Sequence, residues 1–122
     1  RPRPHGAGAV PGAAGMRRCL AGLLIGLSAA CARAEVPQFE LRIENHLFQP
    51  AELTVPANTK VRLVVRNLDP TPEEFESWEL NREKVILGGQ SAVIFVGPLP
   101  PGDYPFFGEF NPKTAQGRLL AR

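Results

Sequence analysis

From Phe39 onward the apolar residues recur at every second position in short runs, and turn-forming residues separate the runs. Phe39, Leu41 and Ile43 alternate with Glu40, Arg42 and Glu44, and Val61, Leu63 and Val65 with Arg62 and Arg66. Successive side chains of a strand point to opposite faces, so this period of two marks strands with one buried face. Ser91–Val96, Asp103–Phe107 and Gly117–Ala121 read as further short strands. Val55-Pro56-Ala57-Asn58, Asp69-Pro70-Thr71-Pro72, Gly88-Gly89 and the Pro/Gly-rich stretch 97–102 punctuate them. Many short strands joined by regular turns predict an all-β sandwich or barrel. Residues 73–84 could hold a single helical turn, of which Pro70 and Pro72 mark only the start. Phe48, Phe75, Trp78, Phe95, Tyr104, Phe106, Phe107 and Phe110 are the large apolar bodies expected to fill the core.

The N-terminal third follows a different grammar. Residues 1–15 are small residues, prolines and arginines, too poor in apolar surface to fold, and read as a leader upstream of a start at Met16. Residues 16–34 have the three parts of a secretory signal peptide: Arg17-Arg18, an uncharged apolar run from Cys19 to Ala30, and Ala32-Arg33-Ala34 as cleavage site. An uncleaved anchor and lipidation at Cys31 are the alternatives. The apolar run is short for a permanent span of a bilayer about 30 Å thick. Cleavage after Ala34 leaves a domain of residues 35–122 in the periplasm, with no membrane insertion. Both cysteines (Cys19, Cys31), Met16 and His5 leave with the removed part, so the domain has no sulfur ligand, no disulfide and one histidine. Its nine Lys/Arg face all twelve Asp/Glu, a formal net charge of −3 in place of the +2 of the whole chain. That charge gives no case for nucleic acid or an anionic membrane surface as partner.

Several stretches of the domain resemble the cupredoxins. Phe48-Gln49-Pro50-Ala51-Glu52-Leu53-Thr54-Val55-Pro56 and Lys60–Asn67 are similar to the family's F-x-P-x-x-L-x-V strand pair and the following strand ending in Asn. Gly102–Gly108 and Gly117-Arg118-Leu119 resemble its last two strands. The resemblance implies a cupredoxin-like Greek-key β-sandwich. It places the family's copper ligands on Glu73 (first histidine), Gly108 (cysteine), Asn111 (second histidine) and Thr114 or Ala115 (methionine). None of these is a ligand of the His₂CysMet set, so blue-copper electron transfer is not expected. Glu73–Ser77, Arg82–Ile86 and Tyr104–Phe110 are instead similar to the EfeO-like cupredoxins of bacterial iron uptake. That resemblance implies periplasmic handling of ferrous or ferric iron, alone or beside a membrane iron permease system as partner; copper is the alternative ion.

The expected site lies at one end of the sandwich, where loop 69–77, loop 108–115 and the start of the strand carrying His46 and Phe48 should meet. Alternation puts Glu73 on the face of Phe75, with Glu74 and Glu76 on the other. Glu73, His46 and Glu109, helped by Glu76 or Asn111, form a candidate open site for a transition metal, and such oxygen and imidazole donors suit Fe, Mn or Cu(II). Each residue also has a plainer reading. Glu74 and Glu76 fit a solvated acidic patch, Glu73 an ion pair with Arg66, Arg82 or Lys84, His46 a hydrogen-bonded surface residue, and Asn111-Pro112 a turn. No nucleophile elbow, H-E-x-x-H or P-loop motif occurs. The expected function is metal binding or relay in iron uptake. A metal-free interaction module is the alternative, and an accessory role in iron oxidation is a third possibility.

Overall fold

The computed structural model describes Pro2 and residues 35–122, so the leader and signal-peptide readings on residues 1–34, including Met16, Cys19, Cys31 and the cleavage site, lie outside the described residues apart from Pro2. The unit Glu35–Arg122 contains nine strands and no helix among the described residues. They are β1 (Gln38–Glu44), β2 (Leu47–Gln49), β3 (Glu52–Val55), β4 (Val61–Asn67), β5 (Glu73–Ser77), β6 (Arg82–Ile86), β7 (Ser91–Val96), β8 (Gly102–Gly108) and β9 (Gln116–Ala121).

One sheet runs β2-β1-β4-β7 and the other β3-β9-β8-β5-β6. Both are mixed, because β1 lies parallel to β4 and β3 parallel to β9, while the other neighbours are antiparallel. The inward positions of the two sheets merge into one core. Leu41 and Ile43 of β1 and Val61, Leu63 and Val65 of β4 meet Phe75, Phe106, Leu119 and Ala121 of the second sheet. An aromatic triad anchors it: Phe106 lies 4.9 Å from Phe48, edge to face, and 5.1 Å from Phe75, stacked.

Two sequence expectations change here. Residues 73–84 hold no helical turn; they form the antiparallel β5–β6 hairpin, with Glu76 paired to Glu83 and Glu74 to Val85. Its glutamates hide the period of two that Phe75 and Ser77 keep on the buried face. Trp78, Phe95 and Phe110 are exposed and belong to no core. Trp78, at the hairpin turn, is 77 % exposed and lies T-shaped to Phe107, at 6.0 Å between centroids.

Candidate functional site

The end of the sandwich that carries the expected site is built on Asn67 and Asp69. Asn67 closes β4 and is buried; its amide donates to Thr71 O (2.8 Å) and Ile86 O (3.1 Å), and its oxygen accepts from Asp69 N (3.0 Å). Those bonds fix the path into β5. Asp69 in turn caps the β1–β2 turn, accepting from Asn45 N at 2.8 Å and His46 N at 3.0 Å. Asn45 and His46 both have positive φ, 53° and 57°, as the two central residues of a tight hairpin require. His46 is therefore a turn residue. Its ring is exposed, with Nδ1 3.6 Å from Asp69 Oδ2. It lines a pocket of about 350 Å³ together with Phe110, Asn111, Pro112, Lys113 and Thr114.

Glu73 begins β5 and is 1 % exposed. Its carboxylate takes none of the expected ion pairs. Arg66 pairs with Glu40 at 2.8 Å, and the Arg82 guanidinium donates to Phe95 O at 2.8 Å. Glu73 Oε1 accepts instead from Glu74 N (3.0 Å) and Phe110 N (3.0 Å), and Oε2 from Asn111 Nδ2 (2.7 Å). A buried carboxylate is tolerated when hydrogen bonds replace its water in this way. The bracket fastens the loop after β8, which Gly108 N–Ala115 O (2.8 Å) and Ala115 N–Asn111 O (2.9 Å) close on itself.

The positions that the resemblance matched to copper ligands thus come together, with residues unsuited to copper. A Cβ on Gly108 would lie 2.6 Å from Glu73 Cδ, 2.8 Å from Glu73 Oε1 and 2.7 Å from Ala115 Cβ. The Glu73 carboxylate fills the volume that a side chain at 108 would need. The donor set offers no sulfur, and three N–H groups already engage the carboxylate. A type 1 copper centre does not fit these residues.

The five predicted metal residues divide. Glu73 and Asn111 are joined in the bracket, and His46 sits at the rim of the pocket that Asn111 lines. Glu76 and Glu109 lie with Glu74 and Glu83, where one oxygen from each falls within 4.8 Å of all the others. Glu74 and Glu76 project from the outer face of β5, Glu83 stands opposite Glu76 on β6, and Glu109 follows β8, its N–H donating to Glu74 O at 2.9 Å. Glu74 and Glu83 were not among the predicted metal residues. The missing signal was the hairpin, because only its register sets Glu83 beside Glu76.

The cluster is electrostatically unfavourable when empty of cations. Glu74 is only 6 % exposed, and the hydrogen-bonding groups around its carboxyl are the carboxyls of Glu83 and Glu109, so a bond forms only by sharing a proton. That bond to Glu83, then burial, then Glu109, pushes the Glu74 carboxyl up to about 8. Burial, followed by the charges of Glu83 and Glu109, also raises Glu76, against a smaller lowering by Trp78 Nε1, which donates to Glu76 Oε1 at 3.2 Å. Glu76 Oε2 is buried and has no hydrogen-bond partner. Four oxygens this close could chelate a hard cation, and exposed acidic groups also occur together without one.

The profile of the cupredoxin-like domain family matches residues 17–121. An uncharacterized protein of Rickettsia prowazekii (strain Madrid E) is 43% identical over 83 residues, which cover 68% of this chain and 66% of that protein. The chain thus spans just under two thirds of that relative's length. Auracyanin A, a blue copper protein of Chloroflexus aurantiacus, superposes with a TM-score of 0.62 at 13% identity, over 72% of this chain and 100% of its own. The metal-binding domain of the Streptococcus pneumoniae Cu(I)-exporting P-type ATPase superposes with a TM-score of 0.59 at 17% identity, over 70% and 84%. At these identities the structural likeness speaks for the fold alone. With the two mixed sheets and the family profile in agreement, the chain belongs to the cupredoxin-like domain family.

Proposed function

We propose that this is an exported, periplasmic metal-handling protein that holds a hard cation through oxygen donors and passes it on. Iron is the foremost candidate and copper(II) the second, with a membrane iron permease system as recipient, in line with the resemblance to EfeO-like cupredoxins. The observation that carries the reading is the convergence of Glu74, Glu76, Glu83 and Glu109, with a nearly buried carboxyl and a buried, unpartnered oxygen among them. Crowding carboxyls of one sign is costly unless a proton or a cation relieves it, and a di- or trivalent cation does so for all of them at once. An acidic domain without sulfur suits Fe³⁺ better than Cu⁺. The resemblance leaves room for an accessory role in iron oxidation.

The test is titration of metal-free protein with Fe³⁺, Mn²⁺ and Cu²⁺ by calorimetry. Wild type should take up about one ion, and a Glu74→Gln, Glu76→Gln double variant should bind at least ~10-fold more weakly, a loss of roughly 1.4 kcal/mol. His46→Ala should bind as wild type, and copper should give no intense blue colour. Absence of binding by wild type, or unchanged affinity in the double variant, ends this reading. A second reading, a metal-free interaction module, draws on Trp78, since exposed tryptophan is a frequent anchor of protein interfaces.

A further inference from the structure

Glu73 and Glu74 are neighbours on β5, so their carboxyls lie on opposite faces of the sheet. Both meet the same loop. From inside, Glu73 holds Phe110 N and Asn111 Nδ2. From outside, Glu74 meets Glu109, both through its main-chain oxygen and through its carboxyl. The inner hold is complete, with both Glu73 oxygens engaged. The outer hold lacks a counter-charge: the Glu74 carboxyl has only other carboxyls to bond, and Glu76 Oε2 is buried without a partner. Three members of the cluster stand on the paired strands β5 and β6; Glu109 alone belongs to the loop. Mutual repulsion among the four is therefore relieved most cheaply by moving Glu109.

We propose that a cation bound by Glu74, Glu76, Glu83 and Glu109 fastens loop 108–115 to the β5–β6 hairpin, so that loading on the outer face sets the order of the pole surface formed by His46 and residues 110–114. This rests on the cation-holding reading and adds to it a means by which a recipient distinguishes loaded from empty protein. The coupling path is short: Glu109 precedes Phe110 and Asn111, which hold Glu73 and line the pocket with His46. The two ends of the path are thus successive residues of one loop, so a displacement of Glu109 is felt one residue away in the bracket.

Amide hydrogen exchange of the full chain, with Mn²⁺ as probe and its binding followed separately, tests the coupling. Saturating Mn²⁺ should slow exchange of the Phe110, Asn111, Thr114 and Ala115 amides by about tenfold in wild type. Glu83→Gln and Glu109→Gln each remove one exposed carboxyl. At saturation Glu83→Gln should keep the protection, whereas Glu109→Gln should lose it. Glu109→Lys places an ammonium group among the three remaining carboxyls, so its loop should be protected without metal and unresponsive to Mn²⁺. Equal protection in the two glutamine variants, or a Glu109→Lys loop that exchanges as fast as metal-free wild type, overturns the coupling while leaving metal binding intact. Failure of wild type to bind Mn²⁺ overturns both.

Discussion

Replacing Glu73 by alanine removes the acceptor of three N–H donors at once. The Glu74 N–H is buried, and the bonds from Phe110 N and Asn111 Nδ2 are partly so. An orphaned buried donor costs about 1–3 kcal/mol, and a lost bond that water can partly replace costs about 1 kcal/mol. The sum is about 4 kcal/mol, a large share of the roughly 5–15 kcal/mol that holds a domain together. At about 4–8 °C per kcal/mol for a domain of this size, the melting temperature should fall by roughly 15–30 °C. Glutamine keeps the shape. Its oxygen can accept both backbone N–H groups, and Asn111 can turn to offer its oxygen to the new amide. Glu73→Gln should therefore cost only about 1 kcal/mol. Calorimetry or far-UV circular dichroism suits the measurement, because Trp78 is too exposed to report on the core. An alanine variant that melts within a few degrees of wild type would refute the bracket. Equal losses for alanine and glutamine would refute the hydrogen-bond geometry.

Gly108→Ala should destabilise by about 1–3 kcal/mol, because its Cβ would overpack against Glu73 and Ala115; thermal melts should also show a smaller penalty when it is combined with Glu73→Ala, which empties that space. The raised Glu74 carboxyl gives a pH signature in metal-free protein. Between the ordinary value of 4.5 and about 8 the folded state holds a proton that the unfolded chain has released, so stability is fully present below 4.5 and declines as pH rises towards about 8. Urea midpoints across that range should fall in wild type and flatten in Glu74→Gln, whereas a rising profile would contradict the arrangement of the cluster.

Alternation alone set out much of this molecule. Leu41, Ile43, Leu63 and Val65 announced their strands because β1 and β4 each turn one apolar face to the core. The same rule placed Glu73 inward with Phe75, and Glu74 and Glu76 outward. The composition of residues 35–122 removed sulfur from the list of donors before any geometry was known.

Tertiary structure decided the rest. The segment 73–84 also allowed a helical turn, and the β5–β6 hairpin exists because Phe75 and Ile86 are buried and β8 pairs with β5. The hairpin register put Glu83 opposite Glu76, and the β5–β8 pairing brought Glu109 to Glu74 across a separation that no local pattern encodes. It also gave Glu73 donors from Phe110 and Asn111 in place of an arginine. Which face a side chain takes follows from backbone geometry at its own position, and so can be read from a sequence. Which carboxylate meets which donor depends on the register between distant strands, set by the packing of the whole core.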